Sequence, residues 1–197
     1  LENVVKMMAN GTHYSSKQFF PRFPAIVGHA GIGMTDDGKL VSFRGMKPPY
    51  GAFAEKAVAS YTIPIPDGID AAAAAALPSS ILTSLLPLKY TAKLQEGETV
   101  LINGATGVSG KIAVQVAKML GAERVIATGR NEALFELLTN LGAHSVIDLK
   151  QPDDILLQSF TQQAGDKGIN IVIDFLWGHP AEVLIKSFVP KELGFAK

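Results

Sequence analysis

The chain has no cysteine. Disulfides and thiolate-held metals are thereby excluded, and a cytoplasmic protein is the expectation. It has no charge excess either: Lys plus Arg and Asp plus Glu both number 18. No basic footprint exists to attract a polyanion, so nucleic acid is not an expected partner. No apolar run is read as reaching the ~20 residues of a membrane span, and no membrane is expected as a partner. The four histidines, at 13, 29, 144 and 179, form no close ligand pair. His29, between glycines, therefore reads as a hydrogen-bonded structural residue, and no metal site is expected. There is no initiating Met and no signal-peptide pattern. We expect the true N-terminus to lie before Leu1.

What is present is a chain of 197 residues, 47% hydrophobic. That supports one large domain or two small ones. Residues 99–110, TVLINGATGVSG, organise the rest. A short apolar run meets glycines at 104, 107 and 110, and the helix-like segment KIAVQVAKMLGA follows. Strand, tight turn and helix in that order aim backbone N–H groups and a helix N-terminus at one spot, which suits a phosphate. Gly107 would let the backbone approach a pyrophosphate, and Gly110 would let the helix pack on the strand. Ala105 stands where the dinucleotide fingerprint has its first glycine, giving A-x-G-x-x-G. A turn without a ligand would use the same glycines, but the strands and helices around it favour a nucleotide.

Two rivals fail letter by letter. A P-loop match starting at Ala105 reaches Gly110-Lys111 and then gives Ile112 where a hydroxyl should hold Mg²⁺. A catalytic Tyr with Lys four residues on, as in short-chain dehydrogenases, is missing. Tyr14, Tyr50, Tyr61 and Tyr90 are followed at that spacing by Gln18, Ala54, Ile65 and Leu94.

Residues 1–9 have helical spacing. After them, AIVGHAGIGM, KLVSF, AFAEKAV and YTIPIP read as short strands between Gly, Pro and Asp turns, a β-rich unit over 1–66. Phe19, Phe20, Phe23 and Tyr50 read as core. In 67–98, Asp70 is an N-cap, the alanine run 71–76 is a helix ended by Leu77-Pro78, and SSILTSLLPLKYTAKL is a second helix. This stretch reads as a hinge. From 99 onward four apolar strands, TVLI, VIATG, SVIDL and INIVIDF, alternate with helices. Continuous apolar strands between helices mean a parallel sheet covered on both faces. At the end of the second strand an NAD enzyme places a carboxylate on the ribose hydroxyls. Gly129-Arg130-Asn131 stand there, and an Arg pairs with a 2′-phosphate that a carboxylate would repel. NADP(H) is the expected cofactor.

Taken in order, IPDGIDAAAAAALPSSILTS, GETVLINGATGVSGKIAVQVAKMLGA, RVIATGRNEALFELLTNLGAHSVID and GINIVIDF resemble the medium-chain dehydrogenase/reductase superfamily, in its zinc-independent quinone-oxidoreductase branch. PAIVGHAGIG and YGAFAEKAV resemble that family's first-domain motifs. The resemblance implies an α/β fold: a partial GroES-like catalytic domain over 1–66, then a Rossmann NADP-binding domain over 67–197 lacking its last strands. It implies that Ala105, Thr106, Gly107, Val108 and Ser109 line the pyrophosphate turn. Gly129 and Arg130 would meet the adenosine ribose phosphate. Thr83 would pack near the nicotinamide, and Phe175, Leu176 and Trp177 would lie along the cofactor.

Two departures bear on metals. Zinc-dependent members have Gly-His-Glu where Gly28-His29-Ala30 stands, and a cysteine ligand where Ser79 stands. His29 alone cannot hold a catalytic zinc, which needs about three protein ligands. The usual first-domain Gly-Asp-Arg-Val is also missing around 41–47. Without a metal the hydride acceptor must already be activated, so the expected substrate is a quinone or an α,β-unsaturated carbonyl. Tyr14 is the candidate proton donor, with solvent as the alternative. A protein that binds NADP without catalysis, acting as a regulator or structural partner, is the competing reading. In the strand order 3-2-1-4 the fourth strand is left as an edge. We expect another chain or further residues of this one to cover it, and the complete protein to be a homo-oligomer.

Overall fold

The structure, a computed structural model, describes residues 3–47 and 49–189. The chain separates into two compact units, Leu1–Pro78 and Ser79–Lys197.

The first unit holds helices α1 (Asn3–Ala9) and α2 (Ser16–Phe19) and a three-stranded antiparallel sheet. Its strands β1 (Ala30–Met34), β2 (Leu40–Arg44) and β3 (Tyr61–Pro64) lie in that order. The turn at residues 35–39 closes the first hairpin, with Gly38 at φ +81°. Gly31 and Gly33 leave room for the Phe43 ring, since a Cβ on Gly31 would come within 2.8 Å of it. AFAEKAV, expected as a strand, is not one. Among the described residues its backbone bonds to the rest of the chain are Ala52 N–H to Gly28 O and Phe53 N–H to Val27 O, both at 2.9 Å.

Helix α3 (Ala71–Leu86) contains the division between the units. The expected stop at Pro78 does not occur. Pro78 removes one N–H donor, but alanines before it and leucines after it favour helix, and the helix continues. A π-helical turn, Pro87–Thr91, follows. The whole, Ala71–Thr91, runs 21 residues, and an 18-residue window of it has a mean hydropathy of 1.6. By length and composition that is enough to cross a membrane, which corrects the expectation that no run reaches this length. The reading as two broken helices hid it.

The second unit is built on a four-stranded parallel sheet in the order β6-β5-β4-β7. The strands are β4 (Thr99–Asn103), β5 (Arg124–Gly129), β6 (Ser145–Asp148) and β7 (Ile171–Asp174). This is the expected 3-2-1-4 order of a Rossmann sheet. The helices are α4 (Val108–Met119), α5 (Phe135–Asn140) behind a short 3₁₀ turn, α6 (Asp153–Ala164) and α7 (His179–Ser187). Alternate strand residues feed two separate cores. Val100, Ile102, Val125 and Ala127 pack with Val114, Ala117 and Leu138 on one face. Leu101, Ile126 and Ile147 pack with Leu156, Phe160, Val183 and Leu184 on the other. Both faces of the sheet are therefore covered, as continuous apolar strands require.

His144 ties β5 to the chain entering β6. Its Nδ1 accepts the Val125 amide at 3.1 Å. Burial first, then the charges of Lys118 and Arg124, holds its pKa below the ordinary histidine value. The neutral ring is the form that can accept this bond.

Candidate nucleotide site at the strand ends

The carboxyl ends of β4, β5 and β7 meet at the turn 104–107. Gly104 takes φ +89°, a conformation that glycine adopts without strain. The turn is fastened to β5 by the Gly104 amide on Thr128 Oγ1 (3.1 Å) and the Ala105 amide on Thr128 O (2.7 Å). Helix α4 then starts against the turn. A Cβ on Gly110 would lie 2.4 Å from Gly104 O and 2.5 Å from Ala105 Cα, so only glycine permits this approach. Gly107, the N-cap, differs: its Cβ would meet nothing in the protein nearer than 3.8 Å. The space in front of Gly107 is open.

That opening is lined by unused donors. The first bond of α4 runs from Lys111 N to Gly107 O, and no side chain caps the helix. The amides of Thr106, Val108, Ser109 and Gly110 consequently have no hydrogen-bond acceptor among the described residues. Four free N–H groups at a helix N-terminus form an anion cradle. Ala105 contributes differently from the expectation: its side chain is buried and its amide already serves β5.

Thr106 is seated on β5. A Cβ on Gly129 would lie 2.3 Å from the Thr106 methyl. Gly129→Ala should therefore cost about 1–3 kcal/mol by overpacking. Thr106→Ser in the same chain removes the clashing methyl and should restore most of that loss, read as urea midpoints of the two variants. Arg130 follows Gly129 and is exposed. Its guanidinium has no hydrogen bond or ion pair among the described residues.

The loop after β7 approaches the same turn. The Leu176 side chain lies where a Cβ on Gly104 would be, 2.8 Å from its Cγ. Phe175 packs on the core, and Trp177 is exposed at φ +56°. Residues 104–110, 129–130 and 175–177 are thus brought to one end of the sheet. Thr83 is exposed on α3, its hydroxyl donating to Ser80 O at 2.7 Å. Tyr14 belongs to the first unit, 95% exposed, with its ring beside His13.

Three polar residues went unread in the sequence: Asn103, Thr128 and Asp174. The Asn103 side chain donates to Asp174 Oδ1 (2.9 Å) and accepts from Thr128 Oγ1 (2.7 Å). Asp174 Oδ1 also accepts the amides of Leu176 (2.9 Å) and Trp177 (3.1 Å). Their signal is a polar residue at or near the carboxyl end of each strand, after an apolar run.

Comparison with known proteins fits this geometry. A family model described as zinc-binding dehydrogenase matches residues 109–187. Rat (Rattus norvegicus) quinone oxidoreductase is 29% identical over 182 residues, 88% of this chain and 54% of that protein. The fold of the Pseudomonas syringae quinone oxidoreductase superposes with a TM-score of 0.75 at 25% identity, over 97% of this chain and 59% of that one. The chain is similar in sequence and in fold to quinone oxidoreductases. A mycobacterial structure complexed with NADPH also matches, with a TM-score of 0.74 at 25% identity over 95% of this chain and 58% of that one. The chain spans little more than half the length of the rat relative. In fold, the second unit carries a Rossmann-type parallel sheet, and the antiparallel sheet of the first is of the β-rich, GroES-like kind.

The name of the matching family model implies zinc, and the residues here do not fit it. No group of three His, Cys, Asp or Glu able to hold a metal occurs among the described residues. Ser79 stands where the resemblance implies a cysteine ligand in zinc-dependent members, and Ala30 where it implies the Glu of Gly-His-Glu.

Proposed function

We propose that the protein is an NADPH-dependent oxidoreductase that reduces a quinone or an α,β-unsaturated carbonyl without a metal. Residues 67–197 form its NADP-binding domain, and residues 1–66 belong to its catalytic domain. The observation that carries this reading is the cradle itself: four free amides facing the open side of Gly107, on a sheet end that also presents Arg130. The quinone oxidoreductases and the NADPH complex among similar proteins support it.

Bound NADPH supplies the hydride. The chain supplies the rest. The amides of Thr106, Val108, Ser109 and Gly110 hold the diphosphate. Arg130 pairs with the 2′-phosphate. Leu176 and Trp177 cover the cofactor and, with Thr83, exclude water from it. The protein positions two reactants and shields them, which suits an acceptor activated already. Tyr14 or solvent provides the proton.

The test is NADPH oxidation by the full-length protein against a panel of quinones and enones, with and without a chelator. We expect turnover with NADPH well above that with NADH, unchanged by chelation. NADPH binding with no turnover on any acceptor would overturn the catalytic reading in favour of a non-catalytic NADP-binding protein. Loss of turnover on chelation would overturn the metal-free one.

A further inference from the structure

One chain of hydrogen bonds, buried at Thr128 and Asn103 and exposed at Asp174, joins the phosphate turn to the loop beyond β7. The Gly104 N–H donates to Thr128 Oγ1 at 3.1 Å, and the Thr128 hydroxyl donates to Asn103 Oδ1 at 2.7 Å. Asn103 Nδ2 donates to Asp174 Oδ1 at 2.9 Å. That same oxygen takes the amides of Leu176 and Trp177. Asn103 and Thr128 are fully buried, so neither can exchange these partners for water. Every donor in the chain has one direction open to it. The Thr128 hydroxyl must point its proton at Asn103, because its oxygen receives Gly104. Asn103 must then turn its amide nitrogen to Asp174. At the far end the carboxylate holds Trp177 in a left-handed conformation that a tryptophan does not adopt freely.

We propose that Asn103 is a positioning residue that couples the turn 104–107 to the loop 175–178, so that the two order together. Breaking the link at either end loosens the opposite segment, although the altered side chain touches nothing there. Its use for function rests on the coenzyme reading above: the diphosphate cradle and the cover over the cofactor are set by one fixed orientation of a carboxamide. Leu176, seated against Gly104, gives the pair a shared apolar contact as well.

The test reads the protein without coenzyme, so it does not depend on that reading. Residue-resolved amide exchange is measured in Thr128→Val, with Thr128→Ser as the variant that keeps the hydroxyl. Thr128→Val should speed exchange at Leu176 and Trp177 about tenfold, while Thr128→Ser leaves both near wild type. Trp177 is the chain's one tryptophan, so its emission should change with the first variant and not the second. Faster exchange at Gly104 alone, with Leu176 and Trp177 unchanged, overturns the coupling. If Thr128→Val does not fold, Asp174→Ala is read at Gly104. Coupling is reciprocal, so exchange there should rise, and an unchanged rate overturns the proposal. A wild-type chain that fails to bind NADPH would end the coenzyme reading and leave the coupling intact.

Discussion

Gly110→Ala should destabilise the second unit by about 3 kcal/mol, the upper end of what overpacking costs. The new Cβ would sit 2.4 Å from Gly104 O, 2.5 Å from Ala105 Cα and 2.9 Å from Ala105 C. All three are backbone atoms of a turn that β5 holds by two hydrogen bonds. No side chain can swing away, so α4 must move off β4 or the turn must break. Either movement opens the core of Val100, Val114 and Ala117. Gly107→Ala is the control. Its Cβ has no protein neighbour nearer than 3.8 Å and its φ of −75° suits any residue. Its stability cost should stay below about 1 kcal/mol, the ordinary effect of a poorer N-cap. Yet the methyl points into the open space that the proposed site gives to the diphosphate. Denaturation midpoints and NADPH affinities should therefore separate the two glycines: Gly110→Ala loses stability, whereas Gly107→Ala keeps it and loses the coenzyme.

Arg130→Ala should remove most of the preference for NADPH over NADH. A charge-assisted pair with a phosphate contributes about 1.5–3 kcal/mol, so NADPH affinity should fall roughly 10- to 100-fold. NADH lacks the 2′-phosphate and should bind almost as before. Arg130 is exposed, so the wild-type preference should also shrink as salt is raised. Equal binding of both coenzymes before and after the substitution would remove Arg130 from the site. Stability should change little, since the guanidinium has no partner among the described residues.

The second unit was legible because its signals are local and agree with one another. Apolar strands, glycine turns and helices alternate at fixed spacing, and the resulting sheet has the expected order. Gly110 could be assigned a packing role from its place in the turn, and the contact with Gly104 O bears that out. The failures came from two sources. Pro78 reads as a stop, but a single missing donor is outweighed by the helix propensity on both sides of it. The link through Asn103, Thr128 and Asp174 could not be read, because their hydrogen bonds join residues 25 and 71 positions apart. Only the parallel register, which sets Asn103 beside Asp174, makes them one group. Ala105 shows the same limit. It sits in the motif, yet its amide is already bonded to β5 and only its neighbours are free.

The central claim is that the free amides at the start of α4 bind the coenzyme's diphosphate. Residue-resolved amide exchange with and without saturating NADPH tests it most directly. The amides of Thr106, Val108, Ser109 and Gly110 should slow on binding, while those of Gly104 and Ala105, already bonded to Thr128, change least. Tight NADPH binding that leaves Thr106 and Val108–Gly110 exchanging as in the free protein would contradict the account.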